Sequence, residues 1–417
     1  MDPVLVEILA IGDELLYGQT QDTNSHWISG ELDKVGFKVV RRTTIGDTEG
    51  QILTAFAEAE QRADIVLITG GLGPTSDDLT KPCLARYFKC ETAIHPEALA
   101  EVTAFFEKRG RELTETNRQQ AALPTCCTKI TNAIGTAPGM WFDKNNKVFV
   151  SMPGVPPEMK KMMRDAIIPK LKSRFKTPAL HHQIIRTVGI GESFLADKIS
   201  KWEEALPAHI KLAYLPGVGE VKLRLTGTGI SLEELKQAMT ELVEKLKPLV
   251  GEYIYGYGDA PLQEVIGNAL REKKLTLSIA ESCTGGYLSH LVTQVPGSSD
   301  YYLGSIIPYD YKIKMGQLGV RPETLEKHGA VSEPAIIEMA NRVRAKFNAD
   351  IGLATSGIAG PGGATPDKPV GTVWIAYSDK NKTTAKLLRL SQERLYNIRY
   401  SATAALGLLH ANMPSQH

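Results

Sequence analysis

Through about the first 160 residues, short continuous apolar runs alternate with helical stripes. "VLVEILAI" (4–11), "FKVVRR" (37–42) and "DIVLITGG" (64–71) read as strands. Residues 22–34 and 50–61 read as helices between them, the first capped by Asp22 or Thr23. Buried strands that end in glycine and are separated by helices predict a parallel α/β sheet. "VFVSMPGVPPEM" (148–159) adds a strand, a proline-rich turn and a helix start. The pattern changes over 182–250, where "QIIRTVGI", "IKLAYLP" and "EVKLRLTG" are short strands accompanied by two helical stretches. That is the signature of a small α+β unit. A third unit opens near "GEYIYGYGDAPLQEVIGNAL". Its clearest helix, 333–346, has Ser332 as N-cap, Pro334 in the first turn and Ile336, Met339, Ala340, Val343 and Phe347 along one stripe. "DIGLATSG" and "VGTVWIAY" are buried strands. The expected fold class is α/β in three parts, residues 1–168, 169–255 and 256–417.

The bulk numbers agree. At roughly 150 residues per domain, 417 residues make about three domains. The 48 basic and 47 acidic side chains leave a net charge of +1, so no global field invites nucleic acid or an anionic membrane. The one strong charge run, 158–176, holds seven basic side chains against two acidic ones and reads as a solvated helix face, with a nucleic-acid patch as the alternative. No stretch approaches the ~20 apolar residues of a membrane helix. The N-terminus reads as a strand and not as a signal peptide, so a cytoplasmic location without membrane association is expected. The five cysteines (83, 90, 126, 127 and 283) are odd in number and lack C-x-x-C spacing, which argues against a disulfide framework or a structural zinc site.

Two stretches carry candidate chemistry. "ITGGLGPTSDDLT" (68–80) places glycines, hydroxyls and two aspartates between a strand end and a helix, and "IGDE" (11–14) ends the first strand. In a parallel sheet both loops lie at the carboxyl edge, where ligands bind. Glycines let backbone N–H groups close on a phosphate, and Asp77 and Asp78 could hold a cation bridging a diphosphate. Such a loop also serves as a plain turn before a capped helix, and neither a Walker A nor a Rossmann fingerprint is present.

"SIAESCTGGYLSH" (278–290) is the second. A strand stops at Ser282, and a helix starts after Gly285-Gly286. A hydroxyl there sits beside free backbone N–H groups, a good place to attack a carbonyl and an ordinary way to turn a chain. The serine needs a base. His290 lies roughly 12 Å along the helix, at ~1.5 Å per residue, and is poorly placed. "SIIPYDYKIKMGQLGV" (305–320) offers Tyr309, Lys312 and Lys314. A desolvated lysine could act as base in a Ser–Lys pair. Cys283 has no partner that would make its thiolate.

"GDELLYGQTQDTN", "TTIGD", "TGGLGPTSDDLT" and "SMPGVPPEM", in that order, resemble the molybdopterin-binding-like front domain of the CinA family. "AESCTGG", "VPGSS", "SGIAGPGGATPDKPVGTVWIA" and "NIR" are similar to the CinA C-terminal domain, the nicotinamide mononucleotide deamidase family. The resemblance covers nearly the whole chain and implies a KH-like middle domain. In front it points to a nucleotide site of Gly12, Asp13, Glu14 and Asn24, with Gly70, Gly71, Gly73, Thr75, Asp77 and Asp78 from the glycine loop and Pro153, Gly154 and Glu158 from the last strand. A divalent metal (Mg, Mn or Co) on Asp47, Asp77 and Asp78 would serve the ADP-ribose pyrophosphatase activity of some members.

At the other end the resemblance makes Ser282 the nucleophile and Lys314 its base, supported by Thr284 and Tyr309. Glu281, Gly285, Gly286, Ser356, Gly357, Gly360, Gly362 and Arg399 would contact substrate. The implied reaction converts nicotinamide mononucleotide to nicotinate mononucleotide and ammonia without a cofactor, in a homodimer. One departure stands out: members commonly read Tyr-Ser-Asn-x-x-Lys where this chain has Tyr309-Asp310-Tyr311-Lys312-Ile313-Lys314. Asp310 could raise a nearby lysine's pKa and weaken the base. The middle unit has Gly189-x-Gly191, Gly217-x-Gly219 and Gly227-x-Gly229 but not the G-x-x-G clamp of nucleic-acid-binding KH domains. Nucleic acid is therefore not expected as a partner. The competing readings are a nucleic-acid-associated competence protein with degenerate sites, and a pyrophosphatase alone.

Overall fold

The first strand, Leu5–Ile11, runs parallel to Lys38–Ile45 on one side and Ile65–Thr69 on the other. These elements belong to a computed structural model that describes residues 3–75, 77–229 and 231–413. The chain falls into two compact units, one of residues 1–181 with 228–232 and one of 182–227 with 233–417.

In the front unit Ile65–Thr69 also pairs in parallel with Lys147–Met152. Both faces of these strands are covered. Leu9, Val66, Ile68 and Phe149 meet Phe56 and Leu84 on one side, and Ile8, Leu67 and Val150 meet Ile28 and Met159 on the other. Two-sided burial is why these strands are continuously apolar. The helices Thr23–Asp33 and Glu49–Arg62 form as the stripes predict, the first capped by Asp22, whose Oδ1 accepts from the Ser25 N–H at 2.9 Å. Beyond the parallel core the sheet continues with two antiparallel strands, Gly139–Lys144 and Thr128–Ile130, which the apolar pattern does not announce. Asn145 and Asn146 turn the hairpin between Gly139–Lys144 and Lys147–Met152 with φ of 51° and 65°, the left-handed pair that a two-residue loop needs.

The basic run is committed to this unit. Lys160 and Arg164 lie over the Trp27 ring, Lys170 over Trp141, and Arg174 pairs with Asp143. One cysteine expectation is corrected: Cys90 and Cys126 are disulfide-bonded, with Cα atoms 6.0 Å apart. Antiparallel pairing of Thr92–Ile94 with Ala122–Pro124 brings them together across 36 residues, which cysteine spacing alone does not reveal.

In the second unit a sheet ordered Ile210–Pro216, Glu220–Gly229, Ala179–Val188, Ile254–Tyr257 is accompanied by the helices Glu192–Glu204 and Leu232–Val250. Arg186, nearly buried, ties this sheet to the turn after its last strand. Its Nε and Nη2 donate to the carbonyls of Gly258 and Asp259, and its Nη1 to the Tyr255 hydroxyl. The last sheet is ordered Tyr302–Ile306, Leu277–Glu281, Ile351–Gly357, Thr372–Ser378, Thr383–Arg389, the first three strands parallel and the last two antiparallel. Helices Glu333–Phe347 and Arg394–Asn412 cover it. Among the described residues no helix is long and apolar enough to cross a membrane.

Candidate active site

Strand Leu277–Glu281 is fully buried, so the chain can present a side chain only where the strand ends. Ser282 is the next residue. Its N–H still bonds the Thr355 carbonyl of the neighbouring strand at 2.9 Å, which fixes its position. Gly285 and Gly286 then take φ of 59° and 101°, the left-handed region that lets the chain turn sharply into helix Tyr287–Thr293. The two glycines are explained by this turn.

Lys314 comes from the segment after Tyr302–Ile306. Its Nζ lies 3.2 Å from Ser282 Oγ, 2.6 Å from the Pro308 carbonyl and 3.0 Å from the Tyr309 carbonyl. The side chain is 1% exposed. Burial pushes its pKa below the ordinary lysine value, while the Asp310 charge pushes the other way. Lys312, two residues earlier, is exposed. Asp310 caps its own short helix, accepting from the Lys312 N–H at 2.7 Å, and its charge raises the Lys314 pKa as expected, but by less than burial lowers it. Tyr311, the other departure, accepts from the Ala330 N–H at 3.1 Å. The Cys283 thiol is pushed up to about 12 by burial and stays protonated.

The other expected residues sort into those at the site and those turned from it. The Thr284 hydroxyl is buried against Thr355 Oγ1 at 2.6 Å. Tyr309 brings its carbonyl to Lys314, while its ring is 61% exposed at the rim. Ser356 is buried and donates to the Ala330 carbonyl, and Gly357 is pressed against Val373, so both hold the wall together. Glu281 is fully buried, its carboxylate turned into the following helix instead of toward a ligand. Gly360 accepts from an arginine, while Gly362 is exposed. That arginine is Arg394 and not Arg399: Arg394 donates to the Gly360 carbonyl at 2.7 Å and to the Tyr309 hydroxyl at 3.3 Å, whereas Arg399 is exposed further along the same helix. Sequence reasoning missed Arg394 and also Asn397, which is fully buried and donates to the carbonyls of Ala359 and Ser391. Their position at the start of the helix after the last strand was the available signal.

A second candidate site is a cavity of about 500 Å³ at the carboxyl edge of the front sheet. Gly12, Glu14, Asn24, Gly70, Gly71, Gly73, Asp77, Asp78, Pro153, Gly154 and Glu158 line it, together with Asp47. Gly70 has to be glycine, because a Cβ there would fall 2.1 Å from the Ile11 carbonyl oxygen. Asp13 and Thr75 are not in the lining. Asp13 and Asp47 bond each other's backbone N–H groups, and Thr75 donates to Asp78. Burial raises the Asp47 pKa, the Asp13 N–H lowers it, and the charges of Asp13, Glu14 and Asp77 raise it further. Among the described residues the lining carries the carboxylates of Glu14, Asp22, Asp47, Asp77, Asp78 and Glu158 and no basic side chain. The amide oxygens Asn24 Oδ1 and Gln120 Oε1 are buried there without a donor.

All-oxygen donors suit a hard divalent cation. Yet among the described residues no three His, Cys, Asp or Glu side chains come together as a metal site. The Asp78 carboxylate is occupied by the N–H groups of Gly73 and Thr75 and by the Thr75 hydroxyl. The expected set of Asp47, Asp77 and Asp78 is therefore not arranged around one point, and no step through a metal is derived.

Comparison with known proteins defines the class first. Residues 7–173 match the family model described as "Probable molybdopterin binding domain", 182–256 the "Damage-inducible protein CinA KH domain", and 259–413 the "CinA C-terminal domain". The chain is thus a three-part α/β protein with a molybdopterin-biosynthesis-like front, a KH middle and a CinA C-terminal domain. It belongs to the CinA family. A CinA-like protein of Cytophaga hutchinsonii is 49% identical over 410 residues, covering 98% of each chain. One from Amoebophilus asiaticus is 44% identical over 416 residues, covering 98% of this chain and 99% of the other. Among solved structures, CinA from Thermoplasma acidophilum is 32% identical, with a TM-score of 0.38, over 42% of this chain and 99% of its own.

Proposed function

We propose that the C-terminal domain is an amidase that hydrolyses nicotinamide mononucleotide to nicotinate mononucleotide and ammonia. One observation carries the amidase chemistry, namely the three neighbours of Lys314 Nζ. A neutral amine has two hydrogens and one lone pair. The carbonyls of Pro308 and Tyr309 take the hydrogens, and the lone pair is left for the Ser282 hydroxyl. Burial favours that neutral form. Ser282 Oγ attacks the carboxamide carbon as its proton passes to Nζ. The carbonyl oxygen becomes an oxyanion, and the N–H groups of Cys283 and Thr284, which donate to no protein oxygen among the described residues, are there to receive it. Collapse breaks the C–N bond, and ammonia leaves with the proton from Nζ. Water, deprotonated by Lys314, then cleaves the ester to the carboxylate and frees Ser282.

The choice of substrate rests on the family resemblance, with Arg394 as the partner for the ribosyl phosphate. The test is ammonia release from nicotinamide mononucleotide by the full chain without added metal, beside Ser282→Ala. Release lost in the variant supports the reading, and no release from folded wild-type protein overturns it.

A second reading concerns the front cavity, to which we assign a nucleotide of the ADP-ribose class. Its position at the carboxyl edge of a parallel sheet and its glycine-rich lining support a nucleotide ligand. Calorimetric titration with ADP-ribose, with and without a divalent metal, tests it, and no heat in either condition overturns it.

A further inference from the structure

We infer that Glu281 is a positioning residue of the Ser282 site, setting which backbone N–H groups are left to face the reacting carbonyl. This rests on the reading of Ser282 as a nucleophile. Glu281 is fully buried and makes no ion pair among the described residues. A buried carboxylate without a cation is costly unless hydrogen bonds replace its water. Here four donors do so. Oε2 accepts from the N–H groups of Gly286 and Leu288, each at 3.0 Å, and Oε1 from the Ser289 N–H at 2.8 Å and from the Ser289 hydroxyl. The Tyr302 hydroxyl in turn donates to Ser289 Oγ at 2.7 Å, so the neighbouring strand closes the network.

The consequence shows in the turn itself. Gly285 N–H bonds the Ser282 carbonyl, Tyr287 N–H the Thr284 carbonyl, and His290 N–H the Gly286 carbonyl. With Glu281 holding 286, 288 and 289, the N–H groups from 285 to 290 are all turned into the protein. Those of Cys283 and Thr284, directly after the nucleophile, are the two left over. Gly285 and Gly286 are the flexible joint of this turn, and the carboxylate is the side-chain tie from the strand end to the N–H groups beyond it. Carboxylate oxygens only accept, as four donors require. A glutamine would have one accepting oxygen and would turn its NH₂ toward a donor.

The full-length Glu281→Gln protein tests this in two assays. In ammonia release, kcat should fall about 100-fold, the scale of a misplaced oxyanion donor, with KM within about twofold and cooperative thermal unfolding retained. In the second assay Ser282 is labelled by a fluorophosphonate. Oγ bonds to phosphorus, fluoride leaves, the serine proton passes to Lys314, and the phosphoryl oxygen uses the same N–H groups. Labelling should slow in parallel. Ser289→Ala removes one of the four donors and should lower both rates about fivefold, so the network remains testable should Glu281→Gln not fold. A labelled wild type with unslowed Glu281→Gln or Ser289→Ala overturns the inference and leaves the nucleophile standing. A wild type that is labelled but releases no ammonia overturns the amidase reading, while slowed labelling of the variants still supports the role of Glu281. A wild type whose Ser282 does not react overturns both.

Discussion

Asp310 and Lys314 stand one helical turn apart, joined through the backbone by a 3.0 Å bond from the Lys314 N–H to the Asp310 carbonyl, yet their charged groups go separate ways. The carboxylate binds the Lys312 N–H, and the amine reaches inward to Ser282. Asp310 caps the turn that carries Lys314, while its charge still favours the protonated amine.

Activity should therefore rise with pH. Lys314 must be neutral to act as base, and its pKa is depressed, first by burial. The rise in kcat/KM should be centred below the ordinary lysine value of about 10.4. Asp310 favours the charged amine, so Asp310→Asn should move the midpoint lower. A pH–rate profile of both proteins checks this. Lys314→Ala should reduce kcat by about 10²–10⁴-fold at pH values where Lys314 is neutral and flatten the rise with pH.

Arg394 and Arg399 lie on one helix and differ in what they touch. Arg394 ties Gly360 to the Tyr309 hydroxyl, and if it also holds the phosphate, Arg394→Ala loses a charged hydrogen bond of about 1.5–3 kcal/mol. KM should rise about 10–100-fold with kcat little changed. Arg399→Ala should leave both near wild type, which steady-state kinetics on the two variants will show.

The pair of Thr284 and Thr355 is a stability element beside Ser282. Thr284→Val leaves the buried Thr355 hydroxyl without its 2.6 Å partner and should cost about 1–3 kcal/mol of unfolding free energy. Thr284→Ser keeps the hydroxyl and should cost less. Urea denaturation of the two variants gives the comparison.

In the front unit the fully buried Glu7 is held by Arg62 through Nε at 2.9 Å and Nη2 at 3.0 Å, and by the Thr43 hydroxyl at 3.0 Å. Arg62→Ala would strand that carboxylate, at a cost of about 3–5 kcal/mol. The loss should appear in the unfolding of the front unit while ammonia release stays as in wild type.

Taken alone, the sequence determined whatever depends on neighbours along the chain. Apolar runs placed the strands at 5–11, 65–69 and 351–357, Ser332 and Asp22 placed helix starts, and the serine before two glycines marked the turn that presents Ser282. The tertiary structure decided whatever depends on which side of an element a group faces, and on contacts between segments far apart. The residues left Tyr309, Lys312 and Lys314 open as bases, and the resemblance named Lys314. Around a single turn Lys312 points to water and Lys314 into the strand ends, a difference that composition cannot encode. Glu281 and Ser356 turned inward because neighbouring residues at a strand end alternate sides, so a run of polar residues cannot all face one ligand. Arg394, the antiparallel edge of the front sheet and the Cys90–Cys126 bond were set by pairings across tens of residues. Such pairings come from the packing of whole elements, which no local pattern carries.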